Sequence, residues 1–274
     1  MSSKLIPGFG LTLGTTVLYL ALIVILPLSA LLLKAADIGV ADFITILTNP
    51  RTWASMRVTL LTAAYATLFN VVYGFALAWV LARYTFSGKR LLDALVDLPF
   101  ALPTAVAGLA ISALYSKNSW LGAALDDIGI SVVYTPLGIA VAMAFTSLPF
   151  VVRTLQPVIQ DLGTDMEEAA RSLGASEFRT FRSVILPSIT PALIAGATLA
   201  FSRSIGEFGA VIFIAGNQPM RTEIITLLTF IRLQEFDYPA AAVLATTMLA
   251  LSFTLLIATN YIQQWHLHYV GRGE

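Results

Sequence analysis

Two ionisable residues stand where an unpaired charge is costly. Arg203 and Glu207 lie one helical turn apart inside the apolar stretch from Ala192 to Ala215. At the centre of a membrane helix each would cost roughly 2.5–3.5 kcal/mol on insertion scales, which disfavours leaving either one alone against lipid. At this spacing they neutralise each other, although Arg before Glu is the weaker order. Two chemistries fit. One is an internal ion pair that holds the fold. The other is an arginine whose positive potential faces a path for anions, with Gly206 and Gly209 allowing close helix packing or a hinge. A second group is Asp93 and Asp97, one turn apart, with Lys89 one turn earlier. It suits an ion pair at a membrane edge or a contact with another subunit. His266 and His268 form an i,i+2 pair in a polar tail, either a weak metal pair or simply solvated.

Several reactions are excluded. Cysteine is absent, which removes disulfides, thiolate metal sites and cysteine nucleophiles. There is no phosphate-cradling G-x-x-x-x-G-K-S/T loop, no G-x-S-x-G elbow and no H-E-x-x-H pair. No catalytic residue and no metal site is expected.

The elements that position these residues follow from composition. Of 274 residues 57% are hydrophobic and only 12% charged, about half the charged share of a soluble domain. The chain therefore reads as an all-α, polytopic membrane protein. Sixteen basic residues balance sixteen acidic ones, so nothing points to nucleic acid. A helix needs about 20 apolar residues to cross a bilayer with its backbone satisfied. Six stretches qualify: Leu11 to Leu33, Val58 to Ala82, Leu95 to Tyr115, Val132 to Val152, Ala192 to Ala215 and Ala240 to Tyr261. The first is too long for a signal-peptide core and is expected to be retained. No linker or repeat divides the chain, so residues 1–274 form one transmembrane unit.

Lys and Arg in the connections set the orientation. With a cytoplasmic N-terminus the inner set is Lys4, Arg83, Lys89, Arg90, Arg153, Arg171, Arg179, Arg182 and Arg272. The outer set is Lys34, Arg51, Arg57, Lys117, Arg221 and Arg232, so the excess lies inside and both termini are expected in the cytoplasm. Pro99, Pro103 and Pro149 interrupt the third and fourth spans, as kinks or as parts of a gate. Between Gly216 and Pro239, residues Ile224, Leu227, Leu228 and Ile231 share one helical face. This helix would lie on the membrane, line the outer mouth or touch a partner.

The longest polar interruption in the second half lies between the fourth and fifth spans, residues 162–190. Thr164 and Glu167 have the spacing of a capping box and Gly174 that of a stop signal. Met166, Ala169, Ala170 and Leu173 form a narrow, small-residue stripe, with Glu167, Glu168 and Arg171 opposite as supporting pairs. A second short helix is expected from Ser176, with Phe178, Phe181 and Ile185 on one face. Pro187 is expected to end it, and Thr190-Pro191 to open the fifth span. A hairpin that only returns the chain to the membrane and a docking helix fit equally. The small stripe favours docking, because it lets a partner's groove approach closely.

At this stretch the sequence resembles a known pattern. Glu168-Ala169-Ala170, three residues, Gly174, nine residues and Val184-Ile185-Leu186-Pro187 is similar to the EAA loop of ABC-importer permease subunits, with Val184 in place of isoleucine. The resemblance implies a coupling helix that fits a groove in a cytoplasmic ATPase dimer, with Glu168, Ala169, Ala170, Gly174, Leu186 and Pro187 as coupling residues. It also implies a second permease subunit, an extracytoplasmic binding protein and a bacterial cytoplasmic membrane. ATP and Mg would be used by the ATPase, with no cofactor on this chain. The run Arg203 to Ala210, with Ala215-Gly216-Asn217, resembles permeases for sulfate, thiosulfate, molybdate and tungstate. Gln234-Glu235-Phe236-Asp237-Tyr238 is closer to the sulfate branch. Sulfate or thiosulfate import is therefore the expected function. Alternatives are molybdate or tungstate import, and an ion-gradient transporter using Glu207 as its deep carboxylate.

Overall fold

The computed structural model describes residues 9–270, with side chains for all of these except 260 and 262–270. Lys4 and Arg272 lie outside the described residues, as do the side chains of His266 and His268. All described regular structure is helical. Five helices are long and apolar enough to cross a membrane, or six spans if one bent pair is counted as one.

The chain opens with α1 (Phe9–Leu20), a π turn at Ala21–Ile25 and α2 (Leu26–Ala36). The wider turn absorbs Pro27, which lacks a backbone donor. A short α3 (Val40–Thr48) leads to α4 (Pro50–Arg83), 34 residues and about 51 Å long. Its start is fixed locally: Pro50 fills the first helical position, and the Asn49 side chain accepts a hydrogen bond from Arg51 N at 2.9 Å.

The expected third span is broken. α5 (Lys89–Ala101) and α6 (Thr104–Tyr115) meet at 113°. Pro103 holds Leu102 extended (φ −84°, ψ 134°), out of the helical region. Pro99, by contrast, stays inside α5. After the short α7 (Trp120–Asp127), the fourth span is α8 (Pro136–Asp161), which starts later and runs further than Val132 to Val152. Pro149 and Pro157 lie within it without ending it.

The polar stretch folds as α9 (Asp165–Ser172) and α10 (Glu177–Thr180). Pro187 does not stop the second helix. A π turn at Phe181–Ile185 takes up the missing donor, and α11 (Leu186–Ile205) follows directly, so one helical path runs from Glu177 to Ile205. Thr190-Pro191 is interior to that path; Thr190 Oγ1 donates to Leu186 O at 2.6 Å. At the other end the fifth span breaks at Gly206, and α12 (Gly209–Ile214) continues. α13 (Ile225–Gln234) and α14 (Tyr238–Val270) complete the described residues.

The core is the packing of α4, α8 and α11. Small residues set the spacing: a side chain at Gly74 would come within 2.9 Å of Val151, and one at Gly196 within 3.1 Å of the Val151 backbone. Around the middle of α4 and α8, and in the last turn of α11, a buried polar chain joins them. Asn70 donates to Ser147 Oγ (2.9 Å) and Ala144 O (3.0 Å), and Ser204 Oγ donates to Ser147 Oγ (3.1 Å). In hydrocarbon such groups stay inside the bundle because they have no water partner. This level marks the middle of the bundle, and α11 ends one residue beyond it.

The apolar face of α13 is turned into the bundle. Ile224, Leu227 and Leu228 are buried and pack against α4 and α14, with Ile231 half-buried.

Candidate functional site

Two places bring together the residues singled out by sequence. The first is α9. Its N-terminal capping box does not form: Thr164 is helical (φ −105°, ψ −12°) and makes no side-chain cap. Glu167 instead accepts from Arg83 Nη2 at 2.7 Å, a charge-assisted bond to a cationic donor that takes the carboxylate a capping box would use. The expected i,i+4 pairing of Glu167 with Arg171 is thereby absent, and Arg171 approaches Glu177 at 3.8 Å.

The C-terminal signal is realised in full. Gly174 takes φ +80°, Ala175 N donates to Ala170 O (3.0 Å) and Gly174 N donates to Arg171 O (2.9 Å), which is a Schellman turn. Glu168, Ala169 and Gly174 are exposed, Ala170 is half-buried and Leu173 is 89% exposed. The small stripe therefore faces outward, uncovered by the described residues. Beside it a cleft of about 250 Å³ is lined by Ala170, Leu173, Arg179, Thr180 and Val184. Leu186 is half-buried and Pro187 exposed where the path enters the bundle.

The second place is the mid-bundle break. Arg203 Nη1 lies 2.6 Å from Glu207 Oε2, an ionic contact without hydrogen-bond alignment. Glu207 is 1% exposed; its Oε1 accepts from Ala210 N (2.9 Å) and its carbonyl from Thr226 Oγ1 (2.8 Å). Arg203 is 31% exposed, so the pair presents its cation, not its anion. The glycines differ. Gly209 abuts the Thr104 hydroxyl, and Gly108 abuts the Ala210 carbonyl, so the starts of α6 and α12 meet at contact distance. Gly206 caps α11 at an ordinary φ of −83° and has no neighbour that a side chain would strike.

Asp93 and Asp97 pair with Arg153 on α8, not with Lys89. Arg153 Nη1 donates to Asp93 Oδ1 (2.7 Å), and its Nε and Nη2 donate to Asp97 at 2.7 and 2.6 Å. Lys89 Nζ donates to Tyr84 O instead. The pair thus fastens α5 to the bundle.

A helical chain with a broken fifth span and a short polar helix before it matches a known architecture. Residues 74–267 match the model of a family described as "Binding-protein-dependent transport system inner membrane component". The chain belongs to that family of inner-membrane permeases. The sulfate transport system permease protein CysT of Salmonella typhimurium is 55% identical to it over 262 residues, 96% of this chain and 95% of the relative. The counterpart in Synechocystis is 49% identical over 256 residues, 93% of this chain and 90% of that one. Among solved structures, a bacterial ABC transporter involved in the import of alginate matches with TM-score 0.76 at 16% identity, over 92% of this chain and 93% of that chain. The MetNI methionine ABC transporter matches with TM-score 0.60 at 17% identity, over 80% of this chain and 99% of that chain. At these identities the structures establish a shared fold, that of ABC importer permeases.

Three permease contacts carry no local sequence signal. Glu223, fully buried, accepts from Arg51 Nε (2.8 Å) and Nη2 (2.7 Å) across 172 positions. Arg83–Glu167 spans 84 positions and Arg153–Asp97 spans 56. The only hint was residue type, because charges beside membrane-length segments require partners.

Proposed function

We propose that this permease is the membrane-spanning subunit of an ATP-binding-cassette importer for sulfate, with thiosulfate as a like-charged second substrate. The observation that carries this is the 55% identity to a sulfate transport system permease along almost the whole of both chains. Residues 1–274 act as one transmembrane unit that forms half of the translocation path beside a second permease subunit. An ATPase dimer uses ATP and Mg; this polypeptide hydrolyses nothing and holds no cofactor. An extracytoplasmic protein delivers the anion. Both termini and α9 lie on the cytoplasmic side.

Coupling runs through Glu168, Ala169, Ala170 and Gly174, with Leu186 and Pro187 at the entry to the bundle. Two features support it: the outward-facing small stripe and a Schellman turn that holds α9 as a rigid unit. Arg203 lends positive potential to the anion path. In support, it lies at a mid-bundle break, where discontinuous helices serve transport sites, and its counter-charge is buried behind it.

Reconstitution with the ATPase, the second permease and the binding protein tests the function. Radiolabelled sulfate uptake is expected to require ATP and to be competed by thiosulfate. Uptake driven by an ion gradient without the ATPase, or competition by molybdate alone, overturns the reading. Arg203→Gln is expected to assemble normally and lose transport; normal transport removes Arg203 from the path.

A further inference from the structure

α4 carries an arginine at each end, Arg51 and Arg83, about 48 Å apart by helical rise. Each guanidinium holds a glutamate from a segment flanking the broken fifth span: Glu167 in α9 before it, Glu223 just ahead of α13 after it. The two joints use the same edge of the guanidinium differently. Arg51 uses both Nε and Nη2, one on each carboxylate oxygen, and Ser55 Oγ adds a contact to Glu223 Oε2 at 3.3 Å. Arg83 uses Nη2 alone, and its Nε is buried without an acceptor. A buried donor left unmade is costly, and a small shift of Glu167 that brought its second oxygen to Nε would complete the fork. The Arg83 guanidinium lies 5.3 Å over the Trp79 ring, and that ring packs in turn against Phe75 and Phe181.

We infer that the Arg83–Glu167 pair is a two-position joint, half-engaged here, and that α4 is the rod that carries displacement of α9 across the membrane to α13. This rests on the proposed coupling role of α9. The rod is stiff, with no proline after Pro50 and no π turn. Its far end is anchored tightly. Besides the Glu223 fork, Thr59 Oγ1 accepts from Ile225 N at 2.9 Å. Thr226 then ties the start of α13 to the Glu207 carbonyl beside Arg203. Movement at α9 therefore has a continuous route of packed and hydrogen-bonded groups to the break. Glu167, the residue before the E-A-A triplet, is its positioning residue.

The chain has no cysteine, so Leu233→Cys, on the half-exposed end of α13, is a clean reporter. It is placed in the full complex with its ATPase, second permease and binding protein, reconstituted in liposomes. Maleimide labelling of this chain's band is followed with and without ATP and vanadate, alongside ATPase recovery and ATP hydrolysed per sulfate moved. The labelling rate is expected to change with nucleotide. That change should be lost in Glu167→Gln and Arg83→Gln, with ATP consumed per sulfate rising about tenfold, an ordinary size for site-to-site coupling. Both should return in the charge-swapped pair Arg83→Glu with Glu167→Arg. A reporter that never responds, one that responds normally in assembled Glu167→Gln, or an assembled swap that stays silent overturns the joint. If the single variants do not assemble, the swap alone decides. Failure of the ATPase to co-purify with the unsubstituted chain is a separate result: it overturns the coupling reading, and the joint with it.

Discussion

α9 and α13 are short helices on either side of the same broken span, and both show an apolar stripe at helical spacing. They use it in opposite ways. α13 buries Ile225, Leu227 and Leu228 within the chain and starts from a fully paired, fully buried Glu223. α9 buries no residue fully, and among the described residues its side-chain hydrogen bond to the bundle comes from Arg83. Amphipathic spacing alone thus does not identify a docking helix. What separates them is burial within the chain: α9 leaves even Met166 and Leu173 exposed, and the alanines between them gain little from burial, so the stripe remains available.

The strongest way to break this contrast is at the charges. Arg51→Met leaves Glu223 buried without its partner, and a loss of about 3 kcal/mol is expected, the lower end for a broken buried pair because Arg51 is itself partly exposed. It would be read as a large drop in the melting temperature of the detergent-purified protein. Leu228→Ala removes a 1% exposed side chain and should cost about 2–4 kcal/mol by the same measurement. Gly174→Val places a β-branched residue at φ +80° and should cost about 1–2 kcal/mol. Nothing lies within 4 Å of the added group, so the protein should insert normally. Because the turn that orients α9 is altered, transport should uncouple from ATP hydrolysis; normal coupling would remove α9 from that role. Leu173→Ala should change stability by less than about 0.5 kcal/mol, since an 89% exposed side chain has little packing to lose. It should still weaken recovery of the ATPase with the permease. Were Leu173→Ala as destabilising as Leu228→Ala, the two stripes would not differ as described.

Much of the site was legible in order but not in depth. The Arg203–Glu207 pair formed as i,i+4 spacing demands, yet its place at a mid-bundle break was hidden in an unbroken apolar run from Ala192 to Ala215. The Gly174 stop was legible because a Schellman turn is satisfied within six residues. The Thr164 cap failed for a non-local reason: Arg83, 84 residues away, takes the carboxylate that a capping box would use. Pro187 misled in the other direction, since a π turn accommodated it and the helix continued.

By itself, the sequence determined what local chemistry and solvent preference control: a helical membrane protein, the polar helix with its glycine stop, and the residues that mark the permease family. Only the tertiary structure decided where the apolar runs break, which short helix is buried, and which acid each arginine holds. Apolarity reports that a segment avoids water, and it is the same whether the neighbour is lipid or another helix. Ion pairs across 56 to 172 positions exist only once those neighbours are in place.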